Sequence, residues 1–188
     1  AYLENAAIRY QPSTTTASLS RVSRSLPLKD GAMVMGEVKS TRPAPATSQR
    51  PDIPLADFES ETWKNSGWVA EGDAFQTGPH AGTLPYVKGY QGKSYAHSHN
   101  IRLASQGDPD NLTGTLTSPP FKAERRYLGF LLVGGDRPTE LAVEILLGDQ
   151  VVHSLTGSNS NDFSLHTIDL KTWQNKELRL RLVDKAQN

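Results

Sequence analysis

The stretch Arg125–Val152, "RRYLGFLLVGGDRPTELAVEILLGDQVV", decides the fold of this chain. Two largely apolar runs, Leu128–Val133 and Leu141–Leu147, lie on either side of Gly134–Pro138. Runs of this length that are bounded by turn residues are typical of buried strands. Glycines free the backbone at a turn and a proline stiffens its exit. The stretch therefore predicts two buried strands joined by a turn, and no helix follows the glycines that could receive a phosphate group.

Strand patterns recur on both sides of this stretch. Residues 112–117, "LTGTLT", alternate between two faces, and in Glu177–Leu182 leucines alternate with charged residues. The second pattern is typical of a half-buried antiparallel strand. About seven or eight short strands separated by turn signals predict an all-β fold, an antiparallel β-sandwich of jelly-roll-like type, over residues 53–188. Residues 1–52 are rich in Ser, Thr, Pro and Ala, which predicts a linker or flanking segment that is largely irregular.

Composition excludes several classes of function. The 188 residues include 20 Lys and Arg against 20 Asp and Glu, so the formal net charge is zero and no nucleic-acid partner is expected. The absence of cysteine excludes disulfides and thiolate chemistry within this chain. No run of about 18 apolar residues predicts a membrane span. The start, "AYLENAAIRYQ", lacks the pattern of a signal peptide, so we expect an excised or already processed piece.

Two histidines have the spacing of strand neighbours. His97 and His99, in "AHSHN", would project to the same side of an extended strand. That spacing suits a two-histidine metal site, but no further ligand is identifiable nearby. A polar rim beside a ligand pocket is the favoured interpretation.

Three carboxylates also alternate, namely Asp57, Glu59 and Glu61. On a strand they would share one face and offer oxygen ligands to Ca²⁺, or an acid and base pair to a sugar. A solvated strand face beside a buried Phe58 explains the same pattern. The metal prediction rests on Asp57 and Glu59, with structural calcium as the one cofactor left open.

Four segments resemble a known family: "ADFESETWKNSGWVAEGDAFQTGP", "GYQGKSYAHSH", "TGTLTSPPFKAERRYLGFLLVGGDRP" and "VVHSLTG". Together they are similar to the levan-type carbohydrate-binding modules numbered family 66. Such modules are attached to bacterial fructan hydrolases and inserted in large planctomycete secreted proteins of the cytochrome-c-containing kind. The resemblance covers residues 53–188 and implies a β-sandwich that recognises sugar in an extracytoplasmic setting. Two features depart from the family: Asp136 stands where a glycine is usual, and the chain stops before a usual last strand.

The predicted ligand site combines hydroxyl-binding groups with an aromatic wall. Glu59, Asp136 and Arg137 are the expected ligands of sugar hydroxyls, Trp63 the wall, and His97 with His99 the rim. The expected function is therefore that of a non-catalytic module, not an enzyme, which recognises a glycan such as a fructan within a larger secreted protein. The alternative is a structural or interaction domain of a multidomain redox or hydrolytic protein that binds no sugar itself. The expected partners are a polysaccharide or oligosaccharide and other domains of the parent protein.

Overall fold

The computed structural model describes residues 6–7, 51–59, 62–63, 65–81, 86–99 and 108–187. The described strands belong to a compact unit that comprises Ala1–Gln11 and Ile53–Asn188. A second unit, Pro12–Asp52, contains only two of the described residues. The predicted irregular segment, residues 1–52, lies almost wholly outside the described residues. The domain boundary at residue 53 and the missing last strand therefore stay predictions.

Within the described residues the chain forms eleven strands and two short 3-10 helices, Pro109–Asn111 and Lys171–Trp173. The strands are β1 (Ala6–Ala7), β2 (Val69–Gly72), β3 (His80–Ala81), β4 (Ser94–Tyr95), β5 (Gly114–Thr117), β6 (Phe121–Lys122), β7 (Tyr127–Gly134), β8 (Leu141–Leu147), β9 (Gln150–Leu155), β10 (Ser160–Asp169) and β11 (Glu177–Asp184).

Nine of the eleven strands form one small and one large sheet, and all strand pairs are antiparallel. The small sheet has the order β1-β7-β10, and the large sheet has the order β2-β5-β11-β8-β9 with β6 also paired to β11. Strands β3 and β4 pair only with each other. The prediction of an all-β antiparallel sandwich is confirmed. No helix in the described part of the chain is long and apolar enough to cross a membrane.

Strict alternation in β11 fixes the inner face of the large sheet. Leu178, Leu180 and Leu182 are at most 1% exposed, whereas Glu177 is exposed and Arg179 is half-buried. Successive side chains of a strand point to opposite faces, so the leucines enter the core together. Each such leucine stabilises the fold by about 1.5–3 kcal/mol through burial. The alternation predicted for this segment is confirmed.

The core lies between the two sheets. The small sheet contributes buried side chains such as Phe130, Leu132 and Ile168, and the large sheet contributes Leu116, Val143, Ile145, Leu180 and Leu182. Phe58 and Trp68 also belong to this core, and their ring centroids are 5.2 Å apart. A second, smaller cluster covers part of the other face of the small sheet.

The turn predicted after Val133 connects the two sheets. Strand β7 pairs with β1 and β10, whereas β8 pairs with β11 and β9. The two apolar runs are therefore not partners in a hairpin, and Gly134–Pro138 carries the chain across the sandwich. This crossing places the glycines and the charged pair at an end of the sandwich, where other loops meet them.

Candidate functional site

Two loops are fastened together at the end of β7. The Asp136 N–H donates to Asn159 Oδ1 at 2.7 Å, and the Arg137 N–H donates to Thr156 Oγ1 at 3.2 Å. The Thr156 hydroxyl in turn donates to the Gly135 carbonyl at 3.1 Å. The loop after β9 thus holds the backbone of the loop after β7. The side chains of Asp136 and Arg137 therefore project from a backbone that is held in place.

Glycine makes this close approach possible. A Cβ atom on Gly157 would lie 2.6 Å from the Gly134 carbonyl carbon and 2.9 Å from the Gly135 oxygen. Such distances are too short for ordinary contacts. Only a residue without a side chain allows the two loops to meet in this way.

A buried carboxyl group lies beside the fastened loops. Asp184, the last residue of β11, is 6% exposed. Burial raises the pKa of its carboxyl group from an ordinary 3.8 to about 6, although hydrogen bonds from the Ser98 side chain and the Ala186 N–H lower it. The nearby charge of Arg137 also lowers this pKa, and that of Asp110 raises it. A carboxyl group held this far from water marks a candidate site.

A histidine pairs with Asp110, the carboxylate whose charge acts on Asp184. His99 Nδ1 lies 2.6 Å from Asp110 Oδ1, and both side chains are largely buried. Asp110 is held in a 3-10 helix that Asp108 caps by accepting the Asp110 N–H. We call Ser98, His99, Asp110, Arg137 and Asp184 the end cluster.

The end cluster brings hydrogen-bond donors and acceptors together at one place. Carboxylates accept hydrogen bonds from sugar hydroxyls, and a guanidinium donates in a fixed planar geometry. The adjoining cavity, lined by Ser98, Thr156 and Gly157 among others, measures about 30 Å³. Ligand pockets usually enclose about 300–1,000 Å³. This cavity is therefore too small to enclose a ligand as large as a sugar ring.

The predicted site residues fall into separate groups. His99 and Arg137 belong to the end cluster, and Asp136 is exposed on the adjoining loop. His97 is 3% exposed, with its ring centroid 5.5 Å from that of Tyr95. Its burial removes it from the predicted rim.

Trp63 and Glu59 contact residues that do not belong to the end cluster. Trp63 packs edge-on to Phe58 with ring centroids 5.9 Å apart, and its Nε1 donates to the Phe75 carbonyl at 2.5 Å. Both carboxylate oxygens of Glu59 accept the Lys93 N–H at 3.1 Å. The contacts of Trp63 are those of a residue at the edge of the core.

The predicted carboxylate strand is wrong as secondary structure. Residues 51–59 contain no strand, and Phe58 has a φ of 55°. Asp57 Oδ1 accepts the Glu59 N–H at 3.1 Å, and Glu61 lies outside the described residues. No group of three His, Asp or Glu side chains suited to a metal occurs among the residues that the structure describes. Calcium binding by Asp57 and Glu59 stays a prediction.

Sequence reasoning missed Asp184, Asp110 and Ser98. For Asp184 a signal existed, because it continues the series Leu178, Leu180, Leu182 in steps of two and must therefore face inward. A carboxyl group on the apolar face of a strand requires hydrogen-bond partners. No comparable signal connects Ser98 or Asp110 to this position, since their contacts arise from loops far apart in the sequence.

Comparison with known proteins points to glycans. The chain is 30% identical over 136 residues to a protein of Aspergillus rugulosus named "Putative glycosyl hydrolase ecdE". The match covers 70% of this chain but only 18% of the length of that relative. No protein-family description matches the chain, and no solved structure matches it.

This comparison corrects one expectation from the sequence. The chain was expected to be non-catalytic and not an enzyme, whereas the relative is named as a hydrolase, which points to an enzyme. The broader expectation of a protein concerned with glycans is supported by the same match.

Proposed function

We propose that this chain is part of an enzyme that hydrolyses glycans, and that its β-sandwich binds the glycan at the end cluster. The similarity over 136 residues to a protein named as a glycosyl hydrolase carries this proposal. The resemblance of residues 53–188 to levan-type modules makes a fructan the first ligand to test. The proposed setting is extracytoplasmic, where polysaccharides are met as substrates.

The geometry of the end cluster supports recognition of hydroxyl groups. Arg137 is 31% exposed in its side chain and forms an ion pair with Glu140, three residues further along the chain. The hydrogen bond between the Arg137 N–H and Thr156 fixes its backbone. A guanidinium that is held in place loses little freedom when it binds a ligand, which favours affinity. The exposed Asp136 next to it supplies an acceptor for a neighbouring hydroxyl.

Binding can be tested by isothermal titration of the chain with levan, inulin, xylan, starch and a mixed β-glucan. We expect Arg137→Ala to lower affinity for the bound polysaccharide about 10- to 150-fold, the loss that corresponds to a charge-assisted hydrogen bond. Arg179→Ala is a matched control, because Arg179 has a similar exposure of 36% and an ion pair with Asp149. We expect this control to bind as the unchanged chain does.

Hydrolysis is tested with the full-length parent protein and the polysaccharide that binds, by the release of reducing ends. Release of sugar by the parent, together with binding by the chain, supports the proposal. Absence of binding to every polysaccharide of the panel overturns it in favour of a structural domain.

A further inference from the structure

Among the residues that the structure describes, a small apolar cluster covers the outer face of the small sheet near one end. Near the end of β7, Val87 and Tyr95 pack over Leu131, Val133 and Phe163. Elsewhere on this face two large apolar side chains of the described residues are open to solvent: Tyr127 at the start of β7 is 54% exposed, and Leu165 on β10 is 55% exposed.

Register places the uncovered residues side by side. Leu165 lies opposite Leu131, Thr167 opposite Gly129 and Asp169 opposite Tyr127. Directly opposed residues of antiparallel strands project from the same face. Tyr127, Gly129, Leu165, Thr167 and Asp169 therefore form one continuous surface, which we call the β7–β10 strip.

Gly129 leaves the middle of the strip open. A Cβ atom at this position would have no neighbour nearer than the His166 carbonyl oxygen at 3.9 Å. A larger residue would therefore fit the strand and stabilise it, since glycine weakens a strand interior. Glycine inside a strand often marks a bulge, a tight bend, or the close approach of a ligand or of another backbone. Here the missing side chain leaves space on the strip next to the Tyr127 ring.

A fixed ion pair lies along the edge of the strip. Arg126 Nη2 donates to Asp169 Oδ2 at 2.8 Å, and Arg126 Nε donates to the same oxygen at 3.1 Å. The Arg126 guanidinium carbon lies 4.9 Å from the centre of the Tyr127 ring. The Lys171 N–H also donates to Asp169, at 2.9 Å. These bonds hold the polar groups and the aromatic ring in a defined arrangement.

We propose that the β7–β10 strip is a second glycan-binding surface, on which Tyr127 covers the C–H face of a sugar ring and the Arg126–Asp169 pair binds its hydroxyls. This inference rests on the proposed function and extends it to long polysaccharides. An aromatic face beside charged hydrogen-bonding groups matches the mixed apolar and polar surface of a sugar. A protein partner fits less well, because a specific interface buries about 800 Å² on each side. Two exposed large apolar side chains among polar neighbours offer much less.

Tyr127 of the strip and Gly134, which precedes Asp136 and Arg137, lie at opposite ends of β7. Gly134 follows Tyr127 by seven positions. At a rise of about 3.3 Å per residue this corresponds to about 23 Å. A polysaccharide can contact both surfaces, whereas a disaccharide can contact only one. Linked contacts raise the apparent affinity without any new bond at either site.

The test compares a polysaccharide with its own disaccharide. Titrations use the one polysaccharide of the panel above with the strongest binding to the unchanged chain. We expect Tyr127→Ala to weaken polysaccharide binding about 2- to 12-fold, in line with the usual contribution of an aromatic contact. Gly129→Val should weaken it as well while keeping or raising thermal stability, because valine favours a strand but obstructs the strip. Tyr86→Ala is the matched control, an exposed tyrosine outside the strip.

Binding of the disaccharide to the end cluster should be unchanged by either strip variant and lost in Arg137→Ala. If Tyr127→Ala and Gly129→Val both bind the polysaccharide as the unchanged chain does, the strip is refuted while the end cluster stands. If the unchanged chain binds no polysaccharide of the panel, the proposed function fails and the strip fails with it.

Discussion

Asp184→Asn is expected to make the protein more stable at neutral pH. The carboxyl group of Asp184 is 6% exposed and its pKa is raised by burial to about 6. Asparagine has nearly the same shape, and its Oδ1 can still accept from the Ala186 N–H, which now donates to Asp184 at 3.0 Å. The substitution therefore removes a buried charge while keeping most of its contacts.

The sign of the effect follows from proton binding. The unfolded chain releases the Asp184 proton near its ordinary pKa of 3.8, and the folded protein releases it only near about 6. Between these values the folded state binds more protons, so the free energy of unfolding falls as pH rises. The stability that the protonated carboxyl group of Asp184 contributes is fully lost above the pKa that it has in the folded protein. The difference between these two pKa values corresponds to about 3 kcal/mol. The amide of the introduced asparagine forms less favourable hydrogen bonds, which costs about 1 kcal/mol. The free energy of unfolding is therefore expected to rise by about 1–3 kcal/mol above pH 6.

The assay is urea denaturation at pH 4, 5, 6 and 7.5, with the free energy of unfolding extrapolated to water. The difference between Asp184→Asn and the unchanged protein should be near zero or negative at pH 4 and should grow up to pH 7. Asp162→Asn, at an exposed carboxylate, is the control and should show no such growth. A stability difference that stays constant from pH 4 to 7.5 would falsify the assignment of a raised pKa to Asp184.

Two further predictions concern the frame of the sandwich. Ser118→Ala should lower the free energy of unfolding by about 1–3 kcal/mol, measured by urea denaturation. The buried Ser118 hydroxyl accepts the Leu180 N–H at 2.9 Å, and alanine leaves that donor unpaired. An unchanged stability would contradict this role. Gly157→Ala should lower stability by about 1–3 kcal/mol through overpacking against Gly135 and should weaken glycan binding. Gly129→Ala, where the added atom meets its neighbours only at 3.9 Å or more, is the control for stability, and equal losses of stability in both variants would refute the close-approach argument.

The alternation of apolar and polar residues made the strands predictable. Which strands pair with each other depends on tertiary contacts, which this alternation does not reveal. The leucines of β11 face the core as their spacing indicates. The partners of β7 and β8 could not be read from the sequence, because two neighbouring apolar runs fit a hairpin as well as two different sheets. Phe58 shows the opposite case: it has a positive φ and packs against Trp63 and Trp68, and the strand predicted around it is absent from residues 51–59.

The candidate site was only partly predictable for a related reason. Arg137 and Asp136 stand in a conspicuous interruption between apolar runs, so the sequence alone directs attention to them. Their surroundings come from Thr156 and Asn159, whose positions depend on how two loops meet. Loop contacts between distant segments leave no periodic trace in a sequence.

The energetic cost of Asp184 bears on function. A buried carboxyl group that lowers stability at neutral pH is not explained by folding, since an amide of equal shape would stabilise the same position. Ser98, Arg137 and Asp110 all act on its charge, and they arrive from three separate segments of the chain. We therefore expect this end of the sandwich to be less stable than it would be with an amide at position 184, while the loops around it are fastened by hydrogen bonds and a glycine contact. Loops that are fastened around a buried polar group are the arrangement expected of a site that binds a ligand. Retention of glycan binding in Asp184→Asn, measured beside its gain in stability, would separate a positioning role of the carboxyl group from direct contact with the sugar.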